Sequence, residues 1–507
     1  MSRTFHRVAS IAGFALAVAL LLLVMHALSR QVTMVQLQRE AGRELHALQN
    51  HQPLWIWSLR RPPDLVAGHP FGAATAAFDD GRLRITSRDG SPYDLGLPLM
   101  QPVDLAHWPL LRLHVESSAD GELGLILQAS EQGATCLATS AAELTQGATE
   151  LTVDLRKVLW QTVAGERCPS LGVLTHMLRL RPHLPTGATL HLRDAALIAD
   201  PPAPAVDAGA AIELPADLPI AEQRIAQLSL GDRQPATPLF HLPASAAPET
   251  WLTLRDRLRQ HWPAALIVPA GVALLPSEQG AMPAWFGWTM CGTYLLLLAW
   301  LAARPPPGKT PPWLEVAAFM TGPLWLIAGL QWGLHPSIPA VIAFVAALLY
   351  AAVIEWRRRP ADWRWLSGSW RDWAWPLAMA PVALGLIAWS GQAFAGPGGR
   401  HVLTYLAWAT LQQWAALAVV MRRLERLPWP RSVTLLVTAT LFALLHTPNG
   451  ALMQLCLLAE LWWAWCFLRS RALLPIALAH AVCALLVESG LTGGLLRSLE
   501  VSARFFL

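Results

Sequence analysis

The chain has 507 residues, of which 54% are hydrophobic and only 14% charged, a balance too apolar for an ordinary soluble protein and a length sufficient for more than one domain. The formal charge of +4 comes from arginine, since Lys157 and Lys309 are the only lysines, and so small an excess argues against a nucleic-acid partner. Six cysteines form no CxxC pair, and Cys291, Cys456, Cys466 and Cys483 fall in apolar segments where they read as small core residues and not as metal-thiolate ligands.

Residues 1–30 start with Arg3, His6 and Arg7 and continue with an apolar run from Val8 to Leu28, long enough to span a bilayer. A signal peptide and an uncleaved anchor share this pattern. The length of the run and the lack of a clean A-x-A site favour an anchor with a cytoplasmic N-terminus, which puts the next domain outside.

From about residue 65 to 200 the pattern changes to period-two alternation. Leu111, Leu113 and Val115 alternate with Arg112 and His114, and similar runs hold Leu123, Leu125 and Leu127, then Leu151, Val153 and Leu155, then Leu178 and Leu180, then Leu190 and Leu192. Short strands at this spacing predict a β-sandwich, a module that serves as a carbohydrate-binding, protein-contact or spacer domain. Cys136 and Cys168 both fall here and can pair in an oxidising compartment. Residues 201–250 are rich in Pro and Ala, which predicts an extended linker without a core, and residues 251–261 read as a short amphipathic helix approaching the membrane.

Beyond residue 280, apolar segments appear at 283–303, 313–333, 337–356, 374–393, 402–421, 432–449, 450–468 and 472–489, eight spans in addition to the anchor. Taking alternate loops inward puts Arg304 and Lys309, Arg357 to Arg359, Arg422, Arg423, Arg426 and Arg431, and Arg469 and Arg471 on the cytoplasmic side, in agreement with the anchor's orientation. Trp363, Trp365, Trp370, Trp373 and Trp375 crowd one such loop as an interfacial belt.

Polar side chains inside a span are costly, so each is a candidate site until packing explains it. Gln412 and Gln413, His446, Glu460 and His480 sit at comparable depths in the last four spans, which allows one shared pocket.

At these residues the chain resembles the CPBP (CAAX protease and bacteriocin-processing, Abi-type) family of intramembrane proteases, whose helices carry Glu-Glu-x-x-x-Arg, Phe-x-x-x-His and His-x-x-x-Asn motifs in succession. The second motif is present as Phe442-Ala-Leu-Leu-His446, followed by Thr447-Pro448-Asn449. The third survives in Pro475 and in Ala479-His480. The glutamate pair is replaced by Gln412-Gln413, the arginine by Leu417 and the asparagine by Ala484. The resemblance covers residues 400–490 by motif and implies hydrolysis of a peptide bond by a glutamate and histidines that activate water, with or without a metal.

A carboxamide cannot act as a general base, whereas an imidazole can. Three readings follow. In a variant endopeptidase, His446 and His480 are catalytic, Gln412 and Gln413 orient water or the scissile carbonyl, Glu460 stands in for the missing carboxylate, and Phe442 and Asn449 position the substrate. In an inactive scaffold or receptor, the same residues are interhelical hydrogen-bond partners and the sandwich is the recognition module. In a transporter, they line a polar pathway. A divalent metal such as zinc would find only two imidazoles, His446 and His480, with Glu460 as a third candidate ligand, so the metal is left open.

The sequence is thus read as a polytopic α-helical membrane protein with an N-terminal anchor (1–30), an extracytoplasmic all-β sandwich-like domain (31–200), a Pro/Ala-rich linker with a juxtamembrane helix (201–280) and an eight-span CPBP-like bundle (281–507). The expected setting is a bacterial inner membrane with residues 31–280 outside. The expected partners are the lipid bilayer, a membrane-embedded or secreted peptide substrate, and a carbohydrate or protein ligand of the sandwich, with no nucleic acid.

Overall fold

The computed structural model describes residues 2–50, 55–79, 81–99, 103–105, 108–128, 135–168, 174–200, 211–229, 238–262, 265–277, 283–303, 311–334, 336–357, 362–390, 398–493 and 496–506. Two compact units emerge. One contains residues 1–33, 247–249 and 281–507, and the other residues 34–246 and 250–280.

The second unit is built on two antiparallel sheets. In one, strands Ala74–Asp79, Arg82–Ser87, Thr189–Ile198, Leu110–Ser117 and Gly147–Asp154 lie side by side, with Trp55–Trp57 also paired to Thr189–Ile198. In the other the order is Gln161–Thr162, Thr135–Leu144, Gly121–Gln128, Met177–His183 and Leu95–Leu97. The alternating leucines explain this arrangement. Leu111, Leu113, Leu190 and Leu192 from the first sheet share one buried core with Leu123, Leu125, Leu178 and Leu180 from the second, while the intervening Arg112, His191 and Arg179 are partly exposed. A disulfide joins Cys136 and Cys168, whose Cα atoms are 6.1 Å apart.

Residues 211–277 differ from the extended linker that their composition suggests. Strands Ile212–Glu213, Leu239–Leu242 and Leu266–Pro269 form a parallel sheet, accompanied by helices Leu218–Ser229 and Pro248–His261. Parallel strands are buried on both faces and read as short continuous apolar runs, here LFHL and LIVP, which period-two counting misses. Phe240, Leu242, Trp251, Leu254, Leu258, Leu266 and Val268 are all buried. The helix read as juxtamembrane therefore packs its apolar face on protein, and its Arg259 pairs with Glu44 at 2.9 Å. Residues 201–210 and 230–237, the rest of the expected linker, lie outside the described residues.

The first unit is helical. It contains the start of α1 (Ser2–Asn50) and the first residues of Pro248–His261, together with Ala284–Ala303, Pro312–Leu326, Ile338–Arg357, Trp370–Leu377 and Met379–Ser390. Gly399–Gln413, the π-helical Trp414–Met421, Arg431–Leu444, Gly450–Ser470 and Leu474–Leu491 complete it. A helical segment falls in each of the nine expected spans, and among the described residues six helices are long and apolar enough to cross a membrane, so this is a multi-pass membrane protein. The other three segments are shorter or interrupted as α-helices, for local reasons. Pro312–Leu326 contains Pro323, Gly399–Gln413 passes into the π-helical stretch, and Arg431–Leu444 ends at the turn that carries His446.

Among the arginines expected in cytoplasmic loops, Arg423 is instead buried. It is 1% exposed and bonds Glu315 at 3.0 Å, Glu355 at 2.7 Å and the Val419 carbonyl at 2.7 Å, tying the end of the π-helical stretch to Pro312–Leu326 and Ile338–Arg357. Arg304, Lys309, Arg358 and Arg359 lie outside the described residues.

The Cys136–Cys168 bridge spans 32 positions, a loop whose closure lowers the entropy of the unfolded chain by the equivalent of about 3–4 kcal/mol. Replacing both cysteines by serine should lower the thermal midpoint of the β-rich unit, followed by circular dichroism, and reductant should reproduce the loss in the wild type and add nothing in the variant.

Candidate active site

Gln413 ends the α-helix Gly399–Gln413, Glu460 lies mid-way along Gly450–Ser470, and His480 lies in the first half of Leu474–Leu491. These three helices bring the three side chains into one buried chain. The Gln413 carboxamide nitrogen donates to Glu460 Oε2 at 2.9 Å and meets His480 Nδ1 at 3.2 Å. Gln413 and Glu460 are fully buried and His480 is 5% exposed. Because an amide nitrogen only donates, His480 Nδ1 accepts, and the remaining ring proton is on Nε2. Neither Gln413 Oε1 nor Glu460 Oε1 has a hydrogen-bond partner among the described residues.

His446 follows the helix Arg431–Leu444, where the backbone leaves helical hydrogen bonding for a turn. Its Nδ1 lies 3.0 Å from the Phe442 carbonyl. A carbonyl only accepts, so Nδ1 carries the proton and Nε2 presents a lone pair. The Phe442 ring touches both imidazoles, with centroid distances of 5.1 Å to His446 and 5.6 Å to His480, and the Trp463 ring flanks His480 at 5.0 Å. Packing on these aromatic faces fixes both ring planes.

A cavity of about 210 Å³ lies against this cluster, with His446, His480 and Gln412 in its wall. An imidazole that accepts at Nε2 and one that donates from Nε2 therefore line the same space. Glu460 and Gln413 are behind that wall. Among the described residues the Glu460 carboxylate meets His480 through the Gln413 amide.

The remaining candidates separate. Phe442 is 2% exposed and packs on the two histidines. It lines a neighbouring apolar pocket, together with Phe319, Pro323 and Leu411. Asn449 is fully buried and caps Gly450–Ser470, with Oδ1 accepting from Leu452 N at 3.2 Å. Its Nδ2 donates to the carbonyls of Ser498 at 2.8 Å and Glu500 at 3.3 Å. Asn449 thus faces backbone and not the cavity, because the turn after His446 spends its side chain on the helix start.

Several wall residues carried no signal in the sequence. Tyr405, Trp408 and Trp332 look like ordinary interfacial aromatics, and Glu500 and Arg504 like tail charges, yet all five line the cavity. Arg504 stacks over Trp332 at 5.5 Å. Ser502 secures this last segment by donating its N–H to the Thr447 carbonyl at 2.7 Å. Among the described residues, no group of three or more His, Cys, Asp or Glu side chains is placed to hold a metal ion. Among the described residues the donor set does not fit a resident zinc.

Residues 364–486 match the family model described as Rce1-like, type II CAAX prenyl endopeptidase Rce1-like. No curated protein matches the chain. Among solved structures, an agarase, AgWH50C, aligns at 14% identity and a TM-score of 0.23 over 29% of this chain and 26% of its own, so the chain spans about a quarter of that protein's length. The family 11 carbohydrate-binding module of the cellulase Lic26A-Cel5E of Clostridium thermocellum aligns at 9% identity and a TM-score of 0.21, over 26% of this chain and 86% of the module. A family 29 module mutant complexed with cellulohexaose aligns at 7% identity and 0.20, over 28% of this chain and 90% of its own. At such scores these likenesses carry no argument about ligand. Over residues 364–486 the helical region is similar to the Rce1-like family, in agreement with the CPBP resemblance of its motifs and with a CAAX-type intramembrane protease fold.

Proposed function

We propose that the helical unit is an intramembrane endopeptidase that works with two histidines in place of the glutamate pair. The observation that carries this reading is the pair of imidazoles of opposite hydrogen-bonding polarity in the wall of one cavity. His446 Nε2 takes a proton from water as the water oxygen attacks the scissile carbonyl carbon. His480 donates its Nε2–H to the developing oxyanion. When the tetrahedral intermediate collapses, the C–N bond breaks and His446 returns its proton to the leaving amine, so atoms and charge balance. Gln412, in the same wall, offers an amide to the substrate backbone. Gln413 and Glu460 are positioning residues: one holds the tautomer of His480, and the other holds Gln413.

The substrate class is a membrane-embedded or secreted polypeptide whose cleaved bond reaches the cavity. The Cys136–Cys168 disulfide supports an oxidising, extracytoplasmic setting for the β-rich unit, and the arginine-dominated composition supports a bacterial inner membrane. A second reading, an inactive scaffold, is favoured by one observation: the carboxylates that the family motif would supply are Gln412 and Gln413 here.

The test is digestion of a library of apolar peptides by the purified full-length protein, with products identified by mass spectrometry. The wild type should cleave, and His446→Ala should lower the rate by roughly 10²–10⁴-fold. Equal rates for the two would sink the proposal. No cleavage by either, with cellular function intact in a His446→Ala, His480→Ala protein, would establish the scaffold.

The buried Gln413–Glu460 bond sets up a second test, by thermal unfolding in detergent. Gln413→Leu should destabilise by about 1–3 kcal/mol because it strips the buried carboxylate of its donor, while Gln413→Leu with Glu460→Leu should recover most of that loss. Both proteins should also lose activity through His480.

A further inference from the structure

The turn that carries His446 is held from outside the segment that matches the family. In the same compact unit, α1 packs Met25 against Ala439, Ala443, Met453 and Leu457, and the Gln454 side chain donates to the Leu22 carbonyl at 3.0 Å. One turn further along α1, the fully buried Ser29 hydroxyl donates to the Pro448 carbonyl at 2.5 Å. This approach requires Gly450, because a Cβ there would lie 2.8 Å from Ser29 Oγ. From another part of the chain, Glu249 Oε1 accepts from the Ala451 N–H at 3.1 Å. Ala451 is in the first turn of Gly450–Ser470, where backbone N–H groups have no intrahelical acceptor and an anion is favoured.

We infer that Ser29 and Glu249 are positioning residues for His446. Each bonds backbone within five residues of it, one at the turn and one at the helix that follows, and His446 Nδ1 bonds the Phe442 carbonyl of the preceding helix. His446 lines the cavity, so the place of its ring there depends on where the 446–451 backbone is held. The N-terminal helix is then a component of the catalytic unit and not merely an anchor. This inference rests on the peptidase reading above.

The test uses full-length protein with Ser29→Ala, Glu249→Leu, their combination, and the conservative Glu249→Gln, which keeps an oxygen acceptor. Two readouts are taken: kcat and KM on a library peptide that the wild type cleaves, and amide hydrogen exchange across residues 446–453. The combined variant should exchange faster there and lose roughly 10–100-fold in kcat with KM unchanged, as expected when a reacting group is misplaced by about 1 Å. Glu249→Gln should stay near wild type in both. Unchanged exchange in the combined variant overturns the inference, as does faster exchange with wild-type kcat when His446→Ala is inactive. If His446→Ala is fully active, the peptidase reading falls, and exchange alone then decides whether Ser29 and Glu249 hold the turn.

Discussion

An amide nitrogen has two protons, and in this bundle the Gln413 nitrogen meets both Glu460 and His480. Much else depends on that fork. A carboxylate buried in an apolar bundle is tolerated only with a donor beside it, and Gln413 is the donor that Glu460 has. A glutamate at 413 would set two carboxylates within hydrogen-bond distance, where like charges oppose each other. The Gln413 amide also leaves His480 with its ring proton on Nε2.

Around this fork the two imidazoles are packed against aromatic rings. The aromatic packing of Phe442 and Trp463 holds the His446 and His480 rings beside one another. The Glu460 carboxylate is bonded to Gln413 and is not among the residues that line the cavity.

The parts of this arrangement that could be read from sequence are those with a strong energetic signature. Period-two leucines such as Leu111, Leu113, Leu178 and Leu180 have one way to be buried, and they form the core between two sheets. His480, Glu460 and Gln413 stood out because polar groups in apolar spans need partners, and they partner one another. Other features had no such signature. The runs LFHL and LIVP are too short to distinguish a buried parallel strand from a linker in a Pro-rich stretch. Asn449 follows the histidine as a substrate-contacting residue would, but an Asn one position before a helix is also the best available cap, and the cap prevails. Arg423 looked like one loop arginine among many, since nothing local indicates that Glu315 and Glu355, more than sixty residues away in sequence, surround it.

Asn449 is worth following further. Its oxygen secures the first turn of Gly450–Ser470, and its nitrogen holds the backbone of Ser498 and Glu500, the segment that closes one wall of the cavity. A single carboxamide thus joins a helix start to a tail. Lifting the Ser498–Glu500 backbone from the cavity would therefore strip the residue that caps the helix bearing Glu460 of both bonds made by its side-chain nitrogen.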